Sequence, residues 1–142
     1  MDPDEIIEHL ELEPHPEGGW FKETWRHVPG DGSRGAGTAI YYLLRAGERS
    51  HWHRLDADEI FHHYSGGPLR LSMADADGGP VRNVVIGDEV LGGQIPQALI
   101  PAGTWFSAEP LGEYTLLGCT VAPAFEFEGF ELAPKGWHPG GG

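Results

Sequence analysis

The sequence predicts an all-β fold, a sandwich or barrel of about ten short strands preceded by one short helix. Apolar residues recur with helical spacing up to Leu12 and with a period of two after it. The 22 glycines and 12 prolines are spread along the chain, as expected for many short elements joined by tight turns. A length of 142 residues suits one hydrophobic core. We therefore expect one domain over residues 1–133 and a flexible tail over residues 134–142.

The helix is predicted at the amino terminus. Asp2 can cap it, and the proline and the acidic residues that follow suit a first helical turn. Ile6, Ile7 and Leu10 form one apolar stripe, and the pattern ends near Leu12.

Ten later segments alternate between apolar and polar residues and are separated by glycine-rich or proline-rich turns. The predicted strands are Phe21–His27, Thr38–Leu44, Ser50–Leu55, Glu59–Tyr64, Leu69–Met73, Val81–Ile86, Gln97–Ile100, Thr104–Glu109, Tyr114–Val121 and Glu126–Glu131.

Charge and cysteine content narrow the functional classes. Nine basic residues against 22 acidic residues give a net charge of −13. Such a surface repels phosphate backbones and anionic lipid, so nucleic-acid and membrane-surface roles are disfavoured. The single cysteine, Cys119, lies in an apolar run and is predicted to be a buried, reduced thiol. The amino terminus is acidic where a signal peptide is basic, and we expect a cytoplasmic protein.

The segment from Gly47 to Gly66 is the richest in side chains that bind metals or carry protons. On a β-strand His51 and His53 leave the same face, because side chains alternate. Glu59 and His63 likewise share one face of the next strand. Imidazoles and a carboxylate that converge can bind a divalent metal or move protons. We expect His51, His53, Glu59 and His63 to point into one cavity.

This segment resembles the first motif of the cupin superfamily, a His-x-His pair followed by a glutamate and a glycine. Six residues separate Glu59 from Gly66, as in that motif, but the five residues between His53 and Glu59 exceed the usual interval. The second cupin motif, Pro-x-Gly-x-x-His, corresponds to Pro101–Phe106, where phenylalanine replaces the last metal ligand. The resemblance implies a jelly-roll barrel around one pocket. If a divalent transition metal binds, His51, His53 and Glu59 would hold it, but the missing ligand favours a site without one.

The resemblance extends to a narrower family, DUF985 or cupin 5, over most of the chain. The similar blocks are Leu12–Phe21, Thr38–Leu44, Ser50–Gly66, Ile100–Glu109 and Leu116–Leu132. Members of this family commonly lack a histidine at the position of His51, which further weakens the metal prediction. The resemblance implies a homodimer. We expect Trp20–Arg26 to contribute to the dimer contact, because a partner can cover an exposed sheet edge.

Several side chains have two interpretations each. Phe61, Trp105 and Phe106, with Tyr42 from a neighbouring strand, are predicted to wall the cavity and contact a substrate; the alternative is ordinary core packing. The histidines could be pocket groups satisfied by hydrogen bonds, and Glu59 a buried carboxylate paired with an arginine.

The turn His15-Pro16-Glu17-Gly18-Gly19 also has two interpretations. It could be a simple hairpin, but an acid and two glycines beside Trp20 indicate a loop folded closely against the barrel mouth or a dimer partner.

Three functional classes are compatible with these residues. The first is a metal-independent acid/base enzyme resembling epimerases or isomerases and acting on a small polar metabolite. His53 would be the base, Glu59 would orient it, and Tyr42 would donate a proton. The second is a metal-dependent cupin enzyme that uses His51, His53 and Glu59. The third is a non-catalytic module that binds a small metabolite. Fold analogy alone does not choose among them.

Overall fold

The amino-terminal helix, α1, spans Pro3–Leu10 in the computed structural model, which describes residues 1–141. The Asp2 carboxylate accepts a hydrogen bond of 2.9 Å from the backbone N–H two residues later, in agreement with the predicted cap. Glu11 ends the helix in a left-handed conformation with φ 57°. No helix among residues 1–141 has the length and apolarity needed to cross a membrane.

Eleven strands follow within residues 1–141. They are β1 (Glu13–Pro14), β2 (Trp20–Arg26), β3 (Thr38–Arg45), β4 (Ser50–Leu55), β5 (Asp58–Gly66), β6 (Leu69–Ala74), β7 (Arg82–Ile86), β8 (Gln97–Ile100), β9 (Trp105–Pro110), β10 (Tyr114–Ala122) and β11 (Phe130–Leu132).

Each of the ten predicted segments contains a strand, and the differences are at the two ends of the series. The sequence did not predict β1, which has only two residues. The predicted strand Glu126–Glu131 is partly a 3-10 turn at Phe127–Gly129, so β11 begins only at its fifth residue.

The strands form two sheets whose paired strands run antiparallel. The first has the order β1-β2-β3-β10-β5-β8 and the second has the order β11-β4-β9-β6-β7. Strands that follow each other in the chain often lie in different sheets, so the chain winds around a shared interior. The predicted all-β class with one short helix is confirmed.

The interior between the sheets is apolar over most of its length. Its largest fully buried side chains include Phe61, Phe106, Leu71, Ile100 and Leu117. Seven polar side chains among residues 1–141 are buried as well. They are Thr38, Ser50, His53, Glu59, Thr104, Ser107 and Thr115.

The segment after Ala133 differs from the predicted flexible tail. The Trp137 ring lies 4.6 Å from the Trp105 ring and 6.4 Å from the Trp52 ring, measured between centroids. The N–H of Gly140 donates a 2.7 Å hydrogen bond to the carbonyl of Asp77. Residues 134–141 therefore pack on the second sheet, because the indoles give them apolar surface to cover; residue 142 lies outside the described residues.

Candidate functional site

The loop at His15–Gly19 carries polar side chains into the space between the sheets. It is tied to the start of β4, where the N–H of His51 donates a 2.8 Å hydrogen bond to the Glu17 carbonyl. Gly18 has φ 112°, and a Cβ there would overlap the carbonyl oxygen of Arg49. This close approach requires glycine. The loop therefore lies against the barrel, one of its two predicted positions.

Glu17 is the centre of a buried polar cluster. Its Oε2 accepts a short hydrogen bond from the Ser50 hydroxyl. Its Oε1 lies 3.4 Å from His53 Nε2 and 3.3 Å from His15 Nδ1. The Glu17 side chain is 10% exposed and the His53 side chain 2%. A carboxylate so placed is compensated by its polar neighbours.

The hydrogen bonds fix where the protons of the two histidines lie. His53 Nδ1 is 2.7 Å from the His51 carbonyl oxygen, which can only accept, so Nδ1 carries a proton. His53 Nε2 then faces Glu17 Oε1 at 3.4 Å. His15 Nδ1 accepts the N–H of Glu17 at 3.1 Å, which leaves the His15 proton on Nε2. Burial lowers the pKa of His15 despite the nearby Glu17 carboxylate, and His53 lowers it further, so this ring is neutral near pH 7.

A cavity of about 80 Å³ adjoins this cluster and is lined by Glu59 and His15. Glu59 is 7% exposed. Burial raises the pKa of its carboxyl well above the ordinary value, the negative charge of Glu17 adds to this, and a hydrogen bond from Cys119 partly opposes it. Burial also raises the pKa of the Cys119 thiol, and the Glu59 carboxyl adds to the effect. The thiol is therefore inert, as expected for a buried cysteine.

The structure corrects the predicted arrangement of His53, Glu59 and Tyr42. His53 is oriented by Glu17 and by a backbone carbonyl, and Glu59 lies at the cavity instead. The Tyr42 hydroxyl donates a hydrogen bond to the Gly18 carbonyl. Burial raises the pKa of the Tyr42 phenol well above its usual value, and Glu17 raises it further. Tyr42 is therefore a structural donor that holds the loop and a poor source of protons.

The expectation that His51 and His53 share a face is wrong because β4 contains a bulge. Ser50 pairs with Ala108 and His53 with Phe106, so three steps on β4 match two on β9. The extra residue sends Ser50 and His53 to the interior together. His51 lies at the surface, with Nε2 3.0 Å from the carbonyl of Pro134.

The donor set does not fit the metal that the fold resemblance implies. His51 points away from His53 and Glu59, and Phe106 occupies the position of the last ligand. Among residues 1–141, no three His, Cys, Asp or Glu side chains are placed to hold a metal ion.

The remaining predicted substrate contacts lie in three places. Phe61 and Phe106 point into the interior, with ring centroids 5.9 Å apart, and the Phe106 ring lies 4.0 Å from that of His53. Trp105, adjacent to Phe106 on the same strand, faces the opposite way, and its indole N–H donates to Asp77. His63 lies towards the far end of β5 from Glu59, with Nε2 3.2 Å from the Gly67 carbonyl. None of these four residues lines the cavity, and Phe61 and Phe106 are ordinary core residues.

His15 and Glu17 are the site residues that the strand patterns missed. They lie in a loop, where alternation carries no information about direction. The available signal was the acid followed by two glycines, a combination typical of a backbone that approaches another closely. That signal predicted the position of the loop but not the role of its side chains.

Three known proteins are similar to this chain, two by structure and one by sequence. A Shewanella oneidensis protein solved by X-ray crystallography is 38% identical, with a TM-score of 0.87 over 94% of this chain and 85% of that one. A hypothetical protein from Leishmania major is 31% identical, with a TM-score of 0.82 over 92% and 86% of the two chains. An uncharacterized Saccharomyces cerevisiae protein is 26% identical over 87% of this chain and 71% of its own length.

Oxalate decarboxylase from Bacillus subtilis shares the fold at 15% identity, with a TM-score of 0.64; the match covers 84% of this chain and 29% of that enzyme. At this identity the likeness concerns the fold alone. A family model described as cupin superfamily (DUF985) matches residues 4–133. With its two-sheet barrel and internal cavity, the chain belongs to the DUF985, or cupin 5, family of the cupin superfamily, a membership that supports small-molecule binding.

Proposed function

We propose that this protein is a metal-independent acid/base enzyme that moves a proton on a small polar metabolite, as isomerases and epimerases do. The observation that carries the proposal is Glu59, a buried carboxyl that lines the cavity and whose pKa is raised well above normal by burial. A carboxyl in this state keeps its proton to a higher pH than an ordinary surface carboxylate, and once it has lost that proton it is a stronger base.

His15 supplies the second group of the proposed reaction. The ring is neutral, its Nδ1 is occupied by the Glu17 N–H, and Nε2 is the nitrogen left to meet a ligand in the cavity. A neutral imidazole that donates N–H polarises a carbonyl oxygen, and a nearby carboxylate then removes a proton from the adjacent carbon. Glu59 would remove that proton and return it to the neighbouring position.

The other members of the cluster would position these two groups. The backbone N–H of Glu17 fixes the His15 ring, and the Glu17 carboxylate places a negative charge near the cavity. The same charge raises the pKa of Glu59. Tyr42 and Ser50 hold the loop and the Glu17 carboxylate.

The test is proton exchange with solvent. The protein would be incubated in D2O with pools of small sugars, hydroxy acids and keto acids, and deuterium uptake at carbon would be followed by mass spectrometry. We expect one compound class to exchange. Glu59→Gln should reduce the rate by at least about a hundredfold. Glu109→Gln, which removes a carboxylate paired with Arg70 outside the cavity, is the matched control and should leave the rate unchanged.

Two results would contradict the proposal. Saturable binding of a metabolite without exchange would favour the non-catalytic module. Exchange that is lost on chelation and restored by one added metal would favour the metal-dependent enzyme.

We further propose a cytoplasmic homodimer. β1 pairs only with Trp20 and Phe21, so within residues 1–141 the outer edge of β2 from Lys22 onwards has no partner strand. Trp25 on this segment is 51% exposed. A partner strand would cover this edge. Light scattering at micromolar concentration should give twice the chain mass of 15.5 kDa, and a monomeric mass would contradict the dimer.

A further inference from the structure

The cavity has polar groups among its buried residues and at its opening, and apolar walls besides. Its buried polar lining residues are Thr38, Cys119 and Glu59, at 1%, 2% and 7% exposed. Ile40, Leu55, Val121 and Phe125 contribute apolar walls. Glu23 and Arg26 also line the cavity, and each of their side chains is 35% exposed, so these two residues mark the opening.

A bulge in β2 brings Glu23 and Arg26 to the same opening. Residues three apart on a regular strand face opposite sides. In β2, however, Glu23 pairs with Ile40 while Trp25 pairs with Ala39, so one extra residue is inserted between them. Arg26 then lies opposite Thr38, which also lines the cavity. The extra residue is therefore what places a positive group at the opening.

Arg26 is the only lysine or arginine that lines the cavity in residues 1–141, in a chain whose net charge is −13. Its Nε and one terminal nitrogen each donate to a different oxygen of the Glu23 carboxylate at 2.8 Å. This two-pronged geometry is the one a guanidinium uses for any carboxylate. The bound Glu23 carboxylate thus stands where the carboxylate of a ligand would lie.

We propose that the ligand of this cavity is a small carboxylate whose anionic end replaces Glu23 on Arg26. Its apolar middle would pass the cavity walls, and its other end would reach Glu59. A ligand carboxylate can displace Glu23 from Arg26 because the Glu23 side chain is one third exposed and can be hydrated after its release. The inference rests on the proposed function for the identity of the reacting end, but the anion preference stands on Arg26 alone.

The test compares butanoate with butanamide, which has nearly the same shape and no charge. Binding would be followed by NMR shifts of the methyl groups of Ile40, Leu55 and Val121, which line the cavity. The intact protein should bind butanoate about tenfold more tightly than butanamide. Arg26→Gln should abolish that preference and leave butanamide binding unchanged.

Glu23→Gln is the decisive companion variant, because it breaks the same ion pair and leaves Arg26 in place. It should strengthen butanoate binding several-fold, since the competing carboxylate is gone. If Arg26 and Glu23 only stabilised the strand, both variants would lower the unfolding temperature equally and neither would change the preference.

Equal binding of the two probes to the intact protein would overturn the proposal. So would a preference that survives in Arg26→Gln, or the absence of butanoate binding at about 50 mM. These binding measurements need no turnover, so they can fail while the deuterium exchange succeeds, and the reverse also holds.

Discussion

Two regions of the chain carry polar groups that could form a site, and they contribute very differently. The β4–β5 segment from Gly47 to Gly66 contains four histidines, yet only His53 of the four enters the Glu17 cluster, and Glu59 is the one ionisable residue of this segment that lines the cavity. The loop at His15–Gly19 contains one histidine and one glutamate, and both reach the interior.

The difference follows from how each region is held. Strand residues must alternate between two faces, so a run of histidines is divided between interior and surface. A loop is free of this alternation, and the two glycines of this loop let its backbone lie directly against β4. A short loop can therefore deliver more of its side chains to one site than a longer strand.

Glu17→Ala should have the largest effect. It leaves His53 and Ser50 without their buried partner, so we expect a loss of about 3–5 kcal/mol in the free energy of unfolding. Urea denaturation would measure it. Glu13→Ala changes an exposed residue two positions after the helix cap at Glu11 and is the control. It should alter the free energy of unfolding by less than about 0.5 kcal/mol. Equal effects of the two variants would show that the cluster does not stabilise the fold.

Gly18→Ala should come next, with a loss of about 1–3 kcal/mol. The added methyl group would overlap the Arg49 carbonyl oxygen at a residue whose φ is 112°. Gly30→Ala, where the space around the glycine is open, is the control and should be nearly neutral. A Gly18 variant as stable as the Gly30 variant would mean that the loop is not pressed against β4.

Glu59→Gln should give a smaller effect of opposite sign, on the order of 1 kcal/mol near neutral pH. Because the folded protein raises the pKa of Glu59, it keeps that proton when the unfolded chain has already lost it. The free energy of unfolding therefore falls as the pH rises from the ordinary carboxyl range to the raised pKa. Glu59→Gln has no ionisable carboxyl at this position, so it does not lose stability over this pH range in the same way.

The measurement is thermal unfolding of both proteins from pH 4 upwards. The unfolding temperature of Glu59→Gln should rise relative to that of the parent protein as the pH rises. At acid pH the two unfolding temperatures should become equal. A stability difference that does not depend on pH would contradict the raised pKa.

His51→Ala should have the smallest effect, a change within about 0.5 kcal/mol and no loss of deuterium exchange, because this ring lies at the surface beside Pro134. His53→Ala should instead lower the free energy of unfolding strongly, as Glu17→Ala does. A large loss of exchange in His51→Ala would restore the site predicted from the His-x-His pattern.

The fold could be predicted from the sequence because each strand repeats its own signal several times. Alternating residues and flanking glycines agree over whole segments such as Thr38–Leu44, so one ambiguous position does not matter. The site depends on single residues. One bulge in β4 sends His51 out and Ser50 in, and no change in the alternating pattern marks it.

Part of the site could have been predicted more accurately. Trp105 and Phe106 are neighbours on one strand, so alternation already excludes that both line the cavity. The partner of His53 could not be found this way, since Glu17 reaches it from 36 positions earlier in the sequence. Only the folded chain brings these residues together.

The packing of Trp137 on Trp52 and Trp105 has a practical consequence for work with this protein. Removing residues 134–141 would expose two large indoles to water and invite aggregation, although the family match ends at residue 133. Shortening the protein to its family boundary for crystallisation would therefore be counterproductive. Because three of the five tryptophans meet there, tryptophan fluorescence should change when that end of the chain undocks.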